Sequence, residues 1–358
     1  MEKKKVVVGM SGGVDSSVAA ALLKEQGFDV IGLFMNNWEE DDEDGCCTAV
    51  GDWEDVKRVC TSLDIPYYSV NFSKQYMDRV FSNFLEEYRK GRTPNPDVLC
   101  NREVKFGPFL EYAKELGADY IATGHYADIK HEEGKSYLLK AVDTNKDQTY
   151  FLNQLNQDQL KDVLFPLGKM KKPDVRRIAE KYNLTTAHKK DSTGICFIGE
   201  RKFREFLKNY IPAKKGKIVD MNGNVVGEHE GVLYYTLGQR RGLNVGGKNT
   251  GTGRWFVVSK DVEKNILVVS QGDEGPLYSN GLYTYEVNWI PESPKEKEFD
   301  CYAKFRYRQA DQKVHVTVLK NKIKVDFYEK QRAVTPGQFV VFYTEKECIG
   351  GGVIEEVF

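Results

Sequence analysis

The first 26 residues constrain the fold more than any other stretch of the chain. An apolar run, Val6-Val7-Val8, leads into Gly9-Met10-Ser11-Gly12-Gly13-Val14-Asp15-Ser16-Ser17, and a helical pattern follows over residues 14–26. Strand, glycine-rich turn and helix in that order make a cradle for an anion. Glycines let the backbone turn tightly and come close to a ligand, and a helix N-terminus presents unpaired N–H groups with a positive partial charge. Ser11, Ser16 and Ser17 add hydroxyl donors, and Asp15 is placed to help hold Mg2+. No lysine follows the glycines as in G-x-x-x-x-G-K-[ST], so this is not a Walker loop.

The same alternation continues to about residue 125. Strands are expected at 5–10, 29–35, 67–72 and 118–124, with helices at 14–26, 51–63, 73–89 and 102–116. Such alternation implies right-handed crossovers and a parallel sheet with helices on both faces, with nucleotides bound at the carboxyl ends of its strands. Residues 147–210 read as mostly helical and basic. From about Lys217 short alternating runs take over, at 217–219, 255–259, 266–270, 283–289, 301–307, 314–319, 323–328 and 339–343. Short strands at that spacing suggest small all-β units. The expected architecture is an α/β domain over 1–210, a small central β domain over 211–275 and a C-terminal β-barrel over 276–358.

The chain's 358 residues carry a net charge of −1, so any nucleic acid must be gripped by local basic patches. Those in view are the lysines and arginines between 169 and 190, Arg201, Lys202 and Arg204, and Gln239-Arg240-Arg241. No apolar run approaches the roughly 20 residues that span a bilayer. The strand starting at Lys5 leaves no room for a leader, so a cytoplasmic protein with no membrane attachment is expected. The seven cysteines include no C-x-x-C pair, which argues against a zinc ribbon or iron–sulfur cluster and for free thiols.

Two of those thiols sit in unusual settings. Thr93-Pro94-Asn95-Pro96-Asp97-Val98-Leu99-Cys100-Asn101 reads as a loop leading into a helix, where Asp97 and Cys100 bracket one turn. A helix N-terminus there would favour the Cys100 thiolate. Cys196 lies in a second special segment, Lys190-Asp191-Ser192-Thr193-Gly194-Ile195-Cys196-Phe197-Ile198-Gly199-Glu200.

Ser-Gly-Gly-Val-Asp-Ser after a first strand resembles the PP-loop of the ATP pyrophosphatases, which cleave ATP between the α- and β-phosphates and use AMP to activate a carbonyl oxygen. Taken with the two cysteine segments, Lys146-Asp147-Gln148, Thr-Gly-His at 123–125 and Tyr235–Gly242, the chain resembles the bacterial tRNA-specific 2-thiouridylases, the MnmA family, over nearly its whole length. Sulfur insertion into a base needs an activated carbon, a sulfur nucleophile and a second thiol, and two cysteines with a carboxylate supply that set.

The resemblance implies an ATP site at Gly9, Met10, Ser11, Gly12, Gly13, Val14, Asp15 and Ser16, with Met35 and Gly124 near the adenosine, and Mg2+ beside it. It makes Cys196 the persulfide carrier, Cys100 its partner thiol or nucleophile, able to form a disulfide with Cys196, and Asp97 the acid or base. Asn95, Pro96 and Asp97 would meet the target uridine. His125, Lys146, Asp147, Gln148, Arg306, Tyr307, Arg308 and Gln338 would contact tRNA, with Arg306 and Arg308 on one face of a strand. The implied partners are glutamate, lysine and glutamine tRNAs and a persulfide relay from a cysteine desulfurase. Three other readings remain: an amidating synthetase with the same loop, which would need an ammonia source; a non-enzymatic nucleotide- or RNA-binding module, which would leave Asp97 and both cysteines unexplained; and a related thiolation enzyme acting on a different base, which would usually bring C-x-x-C motifs.

Overall fold

The computed structural model describes residues 3–38, 48–191, 203–212, 214–245 and 253–358. Its first sheet contains β1 (Lys5–Met10), β2 (Asp29–Asn36), β3 (Tyr67–Asn71), β4 (Tyr120–Thr123) and the two-residue strand Val163–Leu164. The spatial order is β3-β2-β1-β4 and then Val163–Leu164, with every pairing parallel. The chain therefore runs outward from β1 in one direction and returns to its other side at β4. Strand order reversal of this kind opens a crevice at the carboxyl ends of β1 and β4.

Successive side chains of a strand point to opposite faces, and β1 shows what that does here. Val7 packs into a cluster with Phe81, Phe84 and Phe109, whereas Val6 and Val8 pack with Val18, Val56 and Val175. Helices thus cover both faces, among them α1 (Val14–Glu25) on the second. The expected α/β architecture is present.

Its details differ in instructive ways. The helix expected over 102–116 is two helices. One starts with Pro96 at its first position and runs through a π-turn to Lys105; the other begins afresh at Pro108. Proline has no N–H to continue a helix but suits a first turn. An unexpected hairpin, Asp128–Glu132 with Lys135–Leu139, turns on Glu133 and Gly134, both at positive φ. Its second strand pairs with Glu347–Val353, so a piece of the first 210 residues extends the ten-stranded sheet of the last third.

The middle of the chain forms a four-stranded sheet from Gly216–Val219, Val225–His229, Trp255–Asp261 and Ile266–Gln271. Farther on, the strand expected at 301–307 spans Glu298–Lys304 instead, and Arg306, Tyr307 and Arg308 occupy the turn after it. They therefore do not alternate along a strand. Among the described residues, no helix is long and apolar enough to cross a membrane.

Candidate functional site

The loop after β1 is shaped by glycines at which a Cβ would meet backbone atoms. Gly12 has a φ of +71°, and a Cβ there would stand 2.6 Å from the Asp52 carbonyl oxygen. Gly124, just past β4, lies so close to the first turn of α1 that a Cβ would be 2.6 Å from the Ser16 nitrogen. The end of β4 is thereby pressed onto the helix start. No side chain caps α1 at Gly13, so the helix start offers its own N–H groups to an anion.

The hydroxyls mostly build the loop. The Ser11 N–H donates to Ser16 Oγ (3.1 Å), while Ser16 Oγ and Ser17 Oγ donate to the Gly13 carbonyl (3.2 and 2.8 Å). Ser17 is fully buried and accepts from Thr186 Oγ1, so it is not an anion donor as expected from the sequence. Met10 and Val14 are buried too, which leaves them only a backbone part. Met35, at the end of β2, is half-buried against the core.

Asp15 is already partnered. Lys172 Nζ lies 2.7 Å and 2.8 Å from its two carboxylate oxygens, and Tyr126 Oη donates to Oδ1 at 3.0 Å. Its side chain is still 32% exposed, and among the described residues no group of three or more His, Cys, Asp or Glu side chains could hold a metal ion by itself. Lys172 also pairs with Asp191 Oδ1 at 2.8 Å, and Asp191 gathers Lys146 (2.5 Å) and Arg176 (3.0 Å) as well. Burial works to raise the Asp191 pKa, but the hydrogen bonds from Lys146 and Lys172 outweigh it and hold the carboxyl at about 2.

Lys189 likewise turns inward, to the Gly12 carbonyl, Asp52 and Asp55 at 3.0, 2.7 and 2.6 Å. The basic stretch at 169–190 is therefore not one RNA-gripping face. Lys172, Arg176 and Lys189 brace the phosphate loop and its surroundings, because each has a carboxylate within reach that linear sequence does not reveal.

The Thr93–Pro94 loop is clamped from remote parts of the chain. Gln338 Nε2 donates to the carbonyls of Thr93 (2.7 Å) and Pro94 (3.3 Å), and the Thr93 N–H donates to the Pro336 carbonyl (3.0 Å). Thr93 Oγ1 meets Thr236 Oγ1 at 3.4 Å, and Arg92 pairs with Glu355 at 2.5 Å. A cavity of about 420 Å3 opens here, lined by Thr93, Thr236, Gln239, Arg306, Thr335 and Gln338.

Asp97 falls in the first turn of the helix that begins at Pro96, and Cys100 lies three residues later, on the same face by helical periodicity. Cys100 is buried a full turn inside the helix, so the expected placement at a helix N-terminus is not found. Asn95 Oδ1 is buried and, among the described residues, lacks a hydrogen-bond partner. Cys196 lies outside the described residues, as do Cys46, Cys47, Arg201 and Lys202.

Comparison with known proteins covers all three parts of the chain. Residues 4–200 match the family described as tRNA methyl transferase HUP domain, 204–271 the tRNA methyl transferase PRC-barrel domain, and 279–354 the aminomethyltransferase beta-barrel domain. The chain is 61% identical, over 99% of its length and 97% of the relative's, to the tRNA-specific 2-thiouridylase MnmA of Alkaliphilus oremlandii. Identity is 59% to that of Geobacillus thermodenitrificans and 58% to that of Enterococcus faecalis, again over 99% of this chain and 95% and 96% of theirs. The chain belongs to the MnmA family.

The positions that the MnmA resemblance assigns to tRNA are not alike in this structure. Lys146 is half-exposed and tied to Asp191. Asp147 is 5% exposed, accepts from the Ala141 N–H and Thr149 Oγ1, and has its pKa raised by burial; its carboxylate faces inward. Gln148 Oε1 accepts from the Tyr126 N–H at 2.9 Å. His125 hydrogen-bonds Thr123 Oγ1 through Nδ1 (2.7 Å), and burial, helped by Lys105, lowers its pKa well below the ordinary 6.5. Tyr307 packs on Phe151 with ring centroids 4.4 Å apart and donates to the Lys146 carbonyl. Arg306 reaches the Ala333 carbonyl, and Arg308 is exposed. Lys172, read from the sequence only as part of a basic cluster, is the site neighbour that no motif marks, whereas Tyr126, Asp191 and Thr236 lie in or beside motif segments that give them no role.

Proposed function

We propose that the chain is a cytoplasmic tRNA uridine 2-sulfurtransferase, which adenylates the C2 oxygen of the wobble uridine with ATP and replaces it with sulfur. The observation that carries this reading is one chain, matching 2-thiouridylases end to end, that joins a glycine-built anion loop at the β1–β4 crevice to a clamped loop and helix bearing Asp97 and Cys100. A three-domain division near residues 210 and 275 belongs to the same proposal.

ATP would be held by Gly9–Ser16, its phosphates received at the start of α1, with Met35 and Gly124 beside the adenosine. Asn95, Pro96 and Asp97 would meet the uracil, and Asp97, in the first turn of its helix, suits removal of the N3 proton as the uridine O2 attacks the α-phosphorus. Pyrophosphate leaves and C2 then carries AMP as its leaving group. The terminal sulfur of a Cys196 persulfide attacks C2, directly or as sulfide freed by Cys100, and the C2–O bond to AMP breaks. On the direct route the Cys100 thiolate takes the Cys196 sulfur, and the resulting disulfide is opened by an external thiol. Mg2+ is proposed to arrive on the triphosphate and is assigned no protein ligand.

His125, Lys146, Gln148, Arg306, Tyr307, Arg308 and Gln338 are proposed to line the tRNA path, with Asp147 ordering that motif from below. Glutamate, lysine and glutamine tRNAs are the proposed acceptors, and a cysteine desulfurase relay the sulfur source. The test is nucleoside mass spectrometry on unmodified tRNA incubated with protein, Mg-ATP and a persulfide donor. Wobble 2-thiouridine should form with wild type, require ATP, and vanish in Cys196→Ala and Cys100→Ser. Wild type that releases no pyrophosphate and makes no thiouridine would overturn the assignment.

A further inference from the structure

Asp15 stands in the first turn of α1, inside the loop proposed to receive the ATP phosphates. A bare carboxylate there would repel a triphosphate: at about 5 Å and an effective dielectric near 20, like charges cost enough to weaken binding roughly tenfold or more. The compensating charge comes from 157 residues away. Lys172 is 8% exposed, and its ammonium meets three carboxylate oxygens, Asp15 Oδ1 (2.7 Å), Asp15 Oδ2 (2.8 Å) and Asp191 Oδ1 (2.8 Å).

An ammonium has three N–H donors, so this one is saturated. It cannot donate to a phosphate without leaving a carboxylate. Its placement is also over-determined. The Lys172 N–H donates to Asp143 Oδ2 at 2.9 Å, and the ammonium lies 5.8 Å from the centre of the Tyr126 ring, whose hydroxyl donates to the same Asp15.

We propose that Lys172 is a positioning residue of the nucleotide site: it neutralises and aims Asp15 so that the phosphate loop accepts a triphosphate. The proposal rests on the ATP reading above and adds a residue to it. Lys172 acts here through Asp15, so removing the carboxylate should remove the need for the lysine.

Calorimetric titration of the full-length protein with Mg-ATP tests this without reference to turnover. Lys172→Met should weaken binding roughly tenfold or more. The double variant Asp15→Asn with Lys172→Met, which carries neither charge, should return to within about threefold of wild type, and Asp191→Asn should stay within the same margin. Wild-type affinity in Lys172→Met, no recovery in the double variant, or an equal loss in Asp191→Asn would each overturn the proposal. If Lys172→Met alone does not fold, as judged by thermal unfolding, the double variant still decides, since it leaves no unpaired buried charge. Wild type that does not bind Mg-ATP would instead remove the ATP reading itself.

Discussion

Gly124→Ala puts a single methyl group against the heart of the phosphate loop. The added Cβ would lie 2.6 Å from the Ser16 nitrogen, 2.8 Å from the Asp15 carbonyl carbon and 3.0 Å from the Ser16 Cα. All three are backbone atoms, so no side chain can rotate aside. Gly124 is not among the positive-φ glycines, which makes the effect one of close approach rather than of backbone conformation. Restoring ordinary van der Waals separation needs the end of β4 to part from the start of α1 by roughly 0.5–1 Å, an overpacking cost of about 1–3 kcal/mol. The same displacement moves the N–H groups that face the anion, so Mg-ATP affinity should fall at least about tenfold. Calorimetric titration with Mg-ATP, beside thermal unfolding that should show a drop of a few degrees, measures both. Binding within about threefold of wild type at an unchanged Tm would refute the idea that this contact sets the loop.

Three further outcomes are expected. Gln338→Ala removes two hydrogen bonds to the Thr93 and Pro94 carbonyls, so it should cost about 1–2 kcal/mol of stability; thiolation turnover should fall more than tRNA affinity, whereas an equal loss in both would mark Gln338 as a plain RNA contact. Lys260, whose ammonium donates to the Tyr235 carbonyl, is held at about 8 by burial. The unfolded chain binds that proton up to about pH 10.5, so wild-type stability should rise with pH between these values. Lys260→Met should abolish that rise and, in denaturant titrations at pH 7, stabilise by about 1–2 kcal/mol. Asp191, held at about 2 against an ordinary 3.8, contributes stability that is full above the ordinary value and lost as pH falls through about 2. Acid titrations of Asp191→Asn should lack that decline, an effect under about 1 kcal/mol because the pairs are partly solvated.

Sequence alone determined what is local. The strand, glycine turn and helix at residues 5–25 could be read because each residue type acts on its own neighbours: β-branched residues extend, glycines turn, and the helix start follows. The Pro-Asn-Pro-Asp run reads as a loop ahead of a helix from about residue 102, whereas the helix starts at Pro96 and already includes Cys100. Errors gathered where the deciding partner is distant. Lys172 reads as one surface lysine among several, yet its carboxylates are at Asp15 and Asp191. Gln338 holds a loop 245 residues earlier in the chain. The hairpin at 128–139 finds its sheet partner at Glu347–Val353, and Arg306 leaves the strand that alternation suggested. Hydrogen bonds and ion pairs act over about 3–4 Å of space whatever the separation along the chain. Only the folded arrangement, which brings the last third of the chain onto the Thr93 loop and a buried lysine onto the phosphate loop, decides which charges and amides meet.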